Sequence, residues 1–252
     1  RRIMQEVEVA KKEISEEKVR QAAKINIGCH SYAFWSFIMP QLANSLKQHI
    51  LECRKDNSAQ LDEELNSGVL DIIFTDSVSQ DSALKKILIF NEQVMVSLPS
   101  SSQFSDRSCL YISDLPKLNL YLVSGAMGYT EWYIKILSAA GIDTTPFDGV
   151  PFGEYLYTKD NVEQCHLTTS FIIRFVPTVA RRVVIPLADS IAGRDIYMVY
   201  KSSDESRLEP VISHIEQNKE LLFNNSSFLP YFLFPNETNN LIIPDNENDI
   251  KA

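Results

Sequence analysis

Between Lys24 and Ser77 the spacing of apolar residues switches back and forth between the period of a strand and that of a helix. Ile25, Ile27 and Cys29 alternate with Asn26 and Gly28, the period of two of a strand. Trp35, Ile38, Met39, Leu42 and Leu46 then recur at helical spacing and make one apolar stripe. Pro40 has no N–H and suits only a first turn, so the pattern predicts a helix starting near Phe37 with Ser36 as its N-cap. A second strand is predicted from Ile50 to Cys53. A short helix follows from Ala59, with Leu61 and Leu65 one turn apart and Gly68 just past its end. The run VLDIIF is compact and apolar, as expected of a strand covered on both faces. Two successive βαβ units imply parallel strands with right-handed crossovers. In such open α/β sheets ligands bind at the loops beyond the C-terminal strand ends, here residues 30–36, 54–58 and 75–78.

The pattern continues in a second section. Ile87 to Phe90 and Val94 to Leu98 read as two strands, ending at Pro99 and a serine run that is the best candidate boundary in the chain. Asp114–Pro116 reads as a turn and NLYLVS as a strand. SGAMGYT then leads into a helix with Thr130 as N-cap, an inward stripe of Tyr133, Ile136, Leu137 and Ala140, and Gly141 at its end. The run SFIIRFVPTV fits a strand or a buried helix equally well. RRVVIPL and DIYMVYK read as strands, the latter with Ile196, Met198 and Tyr200 on one face. A helix then turns Leu208, Val211, Ile212 and Ile215 inward, with Ser203 or Ser206 as its cap and Pro210 in its first turn. Beyond Asn224 an apolar stub precedes an Asn- and acid-rich end with the composition of a disordered tail. At the other terminus Ile3, Val7, Ala10 and Ile14 form a two-heptad seam among charged residues, the pattern of a helix that pairs with another helix.

The chain's 252 residues, 44% hydrophobic, suffice for one or two domains. A formal net charge of -9 argues against a broad basic face for nucleic acid. No stretch has the length and apolarity of a membrane span, and no secretory signal precedes the first strand. Cys29, Cys53, Cys109 and Cys165 include no CxxC. Cys29 and Cys53 approach each other if their strands are neighbours, but the expectation is reduced thiols in a cytoplasmic protein. HExxH, GxSxG and GxxxxGK[ST] are all missing, and the four histidines lack metal-ligand spacing. Cys29–His30 and Cys165–His166 are sequence neighbours on strands, so their side chains face opposite sides. No catalytic set, metal site or cofactor is expected, and the chain reads as a non-enzyme.

What the pattern offers is a polar cleft. Ser31 and Tyr32 end the first strand, Asn57 and Ser58 precede the second helix, and Thr75 and Asp76 follow the third strand. Ser124, Gly125, Met127 and Thr130 belong to the loop and cap before the second-section helix. Hydroxyl-bearing loops at helix N-termini favour carboxylates and other anions, whereas Asp76 would repel an anion and select an amine or a zwitterion. Each residue also has a plainer reading as a cap or turn former.

Taken in order, the charged N-terminal helix, INIGCHSYAFWSFIMPQLANSLKQH, QLDEELNSGVLDIIF, LIFNEQVMVSLP, ISDLPKLNLYLV and GRDIYMVYKSSDESRLEPVISHI resemble the effector-binding domain of LysR-type transcriptional regulators. The likeness covers residues 1–222. It implies an α/β, two-lobed fold like that of type II periplasmic binding proteins, with two crossover strands and a preceding linker helix. Lobe one would hold 25–100 and 192–222 and lobe two 101–191. Residues 1–24 would form a dimerisation helix and 223–252 a partly disordered extension. The implied function is sensing a small polar or anionic effector in the interlobe cleft of a homodimer or homotetramer. DNA would be bound only through a helix-turn-helix domain outside this chain, and no membrane is involved. One departure stands out: such domains often carry a Gly-rich segment late in lobe two, where this chain has QCHLTTSFIIRFVPTV, leaving Ser170 as the residue for that wall. The alternative of the same architecture is a solute-binding receptor of a transport system.

Overall fold

The computed structural model of the protein describes residues 11–12, 24–77, 79–120, 123–124, 128–144, 150–151, 163–175, 181–224 and 241–242. Strand β1 (Lys24–Cys29) lies between β2 (Ile50–Lys55) and β3 (Ile72–Thr75), parallel to both. This is the doubled βαβ arrangement that the alternating periods predict. The crossovers differ in detail. The apolar stripe expected of one helix is divided between α1 (Tyr32–Phe37) and α2 (Met39–Ser45). The break comes at Ile38, because Pro40 can sit only in the first turn of a new helix. The first cap is therefore Ser31, whose Oγ accepts from Phe34 N, and not Ser36. Helix α3 (Ser58–Ser67) buries Leu61 and Leu65 and ends on Gly68 at φ 80°, the left-handed C-cap expected there.

Strand β4 (Leu84–Pro99) is one continuous strand of 16 residues where two were expected. A register shift between Leu88 and Phe90 explains why the alternation looked interrupted. Its first half pairs antiparallel with β9 (Gly193–Lys201), which also pairs antiparallel with β3. Its second half leaves β9 and pairs with β7 (His166–Thr169) and β8 (Arg182–Pro186). Two lobes result, with β4 and β9 as the chain segments that run between them. The second lobe adds a short 3-10 turn at Ile112–Lys117, the paired strands β5 (Val123–Ser124) and β6 (Val150–Pro151), and α4 (Thr130–Ala139). Within SFIIRFVPTV, residues Ile172–Phe175 form a helical turn, α5. Helix α6 (Glu205–Gln217) buries Leu208, Val211, Ile212 and Ile215. Pro210 lies inside this helix and not in its first turn, and Asp204 takes the cap position instead of either serine. The chain turns into α7 (Lys219–Asn224), which buries Leu222 and Phe223. Within the C-terminal extension Leu241–Ile242 forms β10, parallel to the outer edge of β2.

A run of aromatic rings ties the lobes together beneath the sheet edge. Phe74 stacks on Phe34 at 4.1 Å, Phe34 on Phe223 at 6.0 Å, and Phe223 on Phe90 at 5.3 Å. From Phe90 the run continues through Phe171 at 4.8 Å to Phe175 at 5.0 Å, and Phe175 stacks back on Phe37 at 4.7 Å. Offset ring pairs add about 0.5–1.5 kcal/mol each beyond the area they bury. Cys29 and Cys53 are buried with their sulfurs 3.9 Å apart, and both are free thiols. Burial pushes the Cys53 thiol well up, so neither oxidation nor exchange is favoured there. Of residues 1–23 only Lys11 and Lys12 are described, both helical; the seam residues Ile3, Val7, Ala10 and Ile14 lie outside the described residues. Among the described residues no helix is long and apolar enough to cross a membrane, and no group of His, Cys, Asp and Glu is placed to hold a metal.

Candidate functional site

The C-terminal ends of β1, β2 and β3 present their loops side by side, and α4 of the second lobe stands across from them. Between them lies a cleft of about 250 Å³. His30, Asn57, Ser58 and Asp76 line one wall and Gly128, Glu131, Trp132 and Lys135 the other, with Arg194 of β9 at the base. Arg194 follows the first residue of β9, at the point where the chain passes between the lobes.

Arg194 organises this base. Its Nε and Nη2 donate to Glu92 Oε2 at 3.0 and 2.8 Å, across the β4–β9 ladder where the two residues are register partners. Its Nη1 donates to Asp76 Oδ2 at 3.0 Å and to the Gly128 carbonyl at 2.7 Å. The guanidinium also lies over Trp132 at 4.2 Å and Tyr129 at 4.9 Å. The Arg194 side chain is 8% exposed and that of Glu92 1%. Burial alone would disfavour the arginine's charge, but Glu92, Tyr129 and Asp76 outweigh it and hold the pKa above its ordinary value. A planar five-donor head suits this task, because it reaches a strand, a loop and a helix start from one centre.

A second interlobe contact lies beside it. Ser31 Oγ donates to Tyr129 Oη at 3.0 Å, and Tyr129 is fully buried. Burial, with Glu92 close by, pushes this phenol's pKa well up, so it stays protonated. Gly128, at φ 79°, packs directly against the His30 backbone; a β-carbon there would overlap the His30 carbonyl oxygen. His30 itself is buried, with Nδ1 3.1 Å from the Phe74 carbonyl and Nε2 3.6 Å from Asp76 Oδ2. Burial first, then Arg194, lowers its pKa against the opposing pull of Asp76.

The residues expected to meet a ligand divide accordingly. Asn57, Ser58 and Asp76 line the cleft. Asn57 also caps α3, its Oδ1 accepting from Gln60 N at 3.0 Å. Ser31 faces Tyr129 and Phe34 N, so it serves the closure and the α1 cap. Thr75 is fully buried and holds Ser77 N at 3.1 Å and Ser58 Oγ at 3.4 Å. Thr130 is the first residue of α4, with Tyr129 at the cap position, and does not line the cleft. Ser170 accepts from Gln93 N at 3.0 Å and belongs to the β4–β7 junction. The side chains of Tyr32 and Ser124, and Gly125 and Met127 altogether, lie outside the described residues. His30, Gly128, Glu131, Trp132, Lys135 and Arg194 were not singled out for this site from the sequence. For Glu131, Trp132 and Lys135 a signal was available: once α4 is placed with its N-terminus at the loop edge, positions in its first two turns face the gap. Replacing Asn57 with alanine removes the α3 cap and is expected to lower stability by about 1 kcal/mol, read from the denaturation midpoint.

No protein-family model matches the chain, nor does any curated protein sequence. Its similarity is to solved structures. A cysteine mutant of Corynebacterium glutamicum OxyR bound to hydrogen peroxide aligns over 87% of this chain and 73% of its own, at 17% identity and a TM-score of 0.59. The reduced regulatory domain of Pseudomonas aeruginosa OxyR aligns over 78% of this chain and 99% of its own, at 15% identity and 0.59. The effector-binding domain of BenM with its effector benzoate aligns over 77% and 92%, at 20% identity and 0.57. The fold is therefore a two-lobed α/β fold of the periplasmic binding protein type II kind. More narrowly, it is the fold of the effector-binding domains of LysR-type regulators.

Proposed function

We propose that the chain is the ligand-sensing domain of a LysR-type transcriptional regulator and takes a small polar or anionic effector in the cleft between its lobes. The observation that carries this reading is the Arg194 centre, which draws Glu92, Asp76, Gly128 and Trp132 from both lobes into one polar gap. Lobe one comprises 25–100 with 192–222 and lobe two 101–191. Residues 1–24 pair with a second copy in a homodimer or homotetramer, and a helix-turn-helix domain outside this chain contacts DNA. The protein works in the cytoplasm, without a cofactor and without catalysis. A ligand acts by binding one arrangement of the lobes better than the other, and shifts the population only by that difference.

Titration calorimetry of the 252-residue chain against a panel of central metabolites tests the reading. The expected result is a single ligand class whose binding raises the melting temperature and is lost in Arg194→Met. Binding unaffected by Arg194→Met would place the ligand elsewhere and overturn the cleft assignment.

A further inference from the structure

The lobe-one wall of the cleft sets two hydrogen-bond acceptors beside each other. The Phe74 carbonyl can only accept, so the 3.1 Å contact to His30 Nδ1 requires that nitrogen to carry the proton. In the neutral ring Nε2 is then a bare acceptor. It is buried, has no hydrogen-bond partner among the described residues, and sits 3.6 Å from Asp76 Oδ2, itself an acceptor. That separation is too long for a hydrogen bond, and two acceptors do not satisfy one another. Asp76 leaves 31% of its side chain exposed, on the cleft side.

From this geometry we infer that the effector presents an ammonium group, held between Asp76 and His30 Nε2. The inference rests on the cleft reading above and narrows its ligand to small primary amines and amino acids. Two observations and the chemistry of the group support a cation over an anion at this wall. Arg194, the nearest positive charge, is already matched by Glu92 and Asp76 and serves the ligand by holding Asp76 and Gly128 in place. Glu131, on the facing wall, adds a second carboxylate to the lining. An ammonium brings several donors on one atom, enough to reach His30 Nε2 and the remaining lone pairs of Asp76, whose Oδ2 already accepts from Arg194. Lys135 and the N-terminus of α3 at Asn57–Ser58 lie in the same lining and suit the carboxylate of an amino acid. The size agrees: about 250 Å³ is at the small end for a binding pocket. Gly128 packs against the His30 carbonyl and the ring carbon Cδ2 next to Nε2, so a donor reaches Nε2 as Gly128 shifts off His30. Ligand entry and lobe displacement are then one event.

The test compares matched probes by calorimetry on the intact chain. Alanine, valine, leucine and phenylalanine are each set against the acid lacking the amino group (propionate, isovalerate, isocaproate, hydrocinnamate). Each is also set against the amine lacking the carboxylate (ethylamine, isobutylamine, isoamylamine, phenethylamine). The expected result is that at least one amino compound binds roughly ten- to hundredfold tighter than its deamino acid, the worth of a hydrogen-bonded charge. The bare amines reveal whether the carboxylate contributes. Asp76→Asn, which keeps an oxygen for Arg194, is expected to erase that preference. Acids binding as tightly as their amino counterparts would overturn the ammonium assignment and leave the cleft reading standing. An amino preference that survives in both Asp76→Asn and His30→Gln would also overturn it. Binding by no probe would count against both.

Discussion

Glu92→Gln is expected to lower the unfolding free energy by up to about 3–5 kcal/mol, measured from the denaturant midpoint, because it removes the buried counter-charge of Arg194 and leaves only the partly exposed Asp76. Glu92 is 2% exposed and receives two donors from Arg194 and one from Thr169 Oγ1 at 2.5 Å. The Arg194 and Glu92 side chains are 8% and 1% exposed, so solvent replaces little of the lost charge. The double substitution Glu92→Leu with Arg194→Met is expected to recover much of this loss, since apolar residues of similar volume need no pairing. A surface pair gives the contrast. Lys85 and Glu205 approach to 2.6 Å but are 47% and 42% exposed. Breaking that pair with Glu205→Ala is expected to cost under about 1 kcal/mol, in line with screened ion pairs. A Glu92 variant as mild as this control would show that Arg194 is solvated or paired elsewhere.

Gly128→Ala should act by pushing the lobes apart. The residue is at φ 79°, which an alanine adopts at a cost of about 1–2 kcal/mol, and its β-carbon would overlap the His30 carbonyl oxygen. Backbone atoms of β1 and its loop cannot move aside as a side-chain tip can, so the start of α4 must lift. Gly68 separates the two causes. It has nearly the same backbone angle, φ 80°, but the nearest atom to an added β-carbon is Lys201 Nζ at 3.8 Å. Gly68→Ala therefore reports the conformational cost alone. The expected result is a larger midpoint loss for Gly128→Ala than for Gly68→Ala. A red shift in tryptophan emission should accompany it, as Trp132 withdraws from Arg194 at 4.2 Å. Equal losses with unchanged emission would mean that the lobes do not meet at Gly128.

The parallel core of lobe one was legible because each element there carries its own local pattern. Ile25, Ile27 and Cys29 announce β1, and Leu61, Leu65 and Gly68 announce α3 and its end. Where two signals competed, the sequence misled. Pro40 rightly marks a first turn and a helix start near Phe37, but the stripe from Trp35 to Leu46 reads as that one helix, so the separate α1, capped by Ser31, is missed. Pro210 misleads outright, since it lies within α6 and marks no first turn. The cleft was legible only in part. Position after a strand correctly brings Asn57, Ser58 and Asp76 to the loop edge, but it cannot tell a residue that faces the gap from one that holds the loop. Ser31 and Thr75 hold the loop, through Tyr129 and Ser77. Arg194 was hidden for a different reason. Its partners Asp76, Glu92 and Gly128 are 118, 102 and 66 residues away, and no local spacing encodes such a meeting.

The ring run between the lobes limits how they can travel. Phe37 and Phe175 are 9° from parallel and Phe90 and Phe171 20°, the two stacked pairs that cross from one lobe to the other. Near-parallel plates glide over one another while keeping most of their dispersion contact, but prising them apart forfeits it. A ligand would therefore drive sideways shear more readily than a jaw-like gape. On the proposed reading, effector binding would then register as a sliding offset of one lobe on the other, small in distance and fixed in direction.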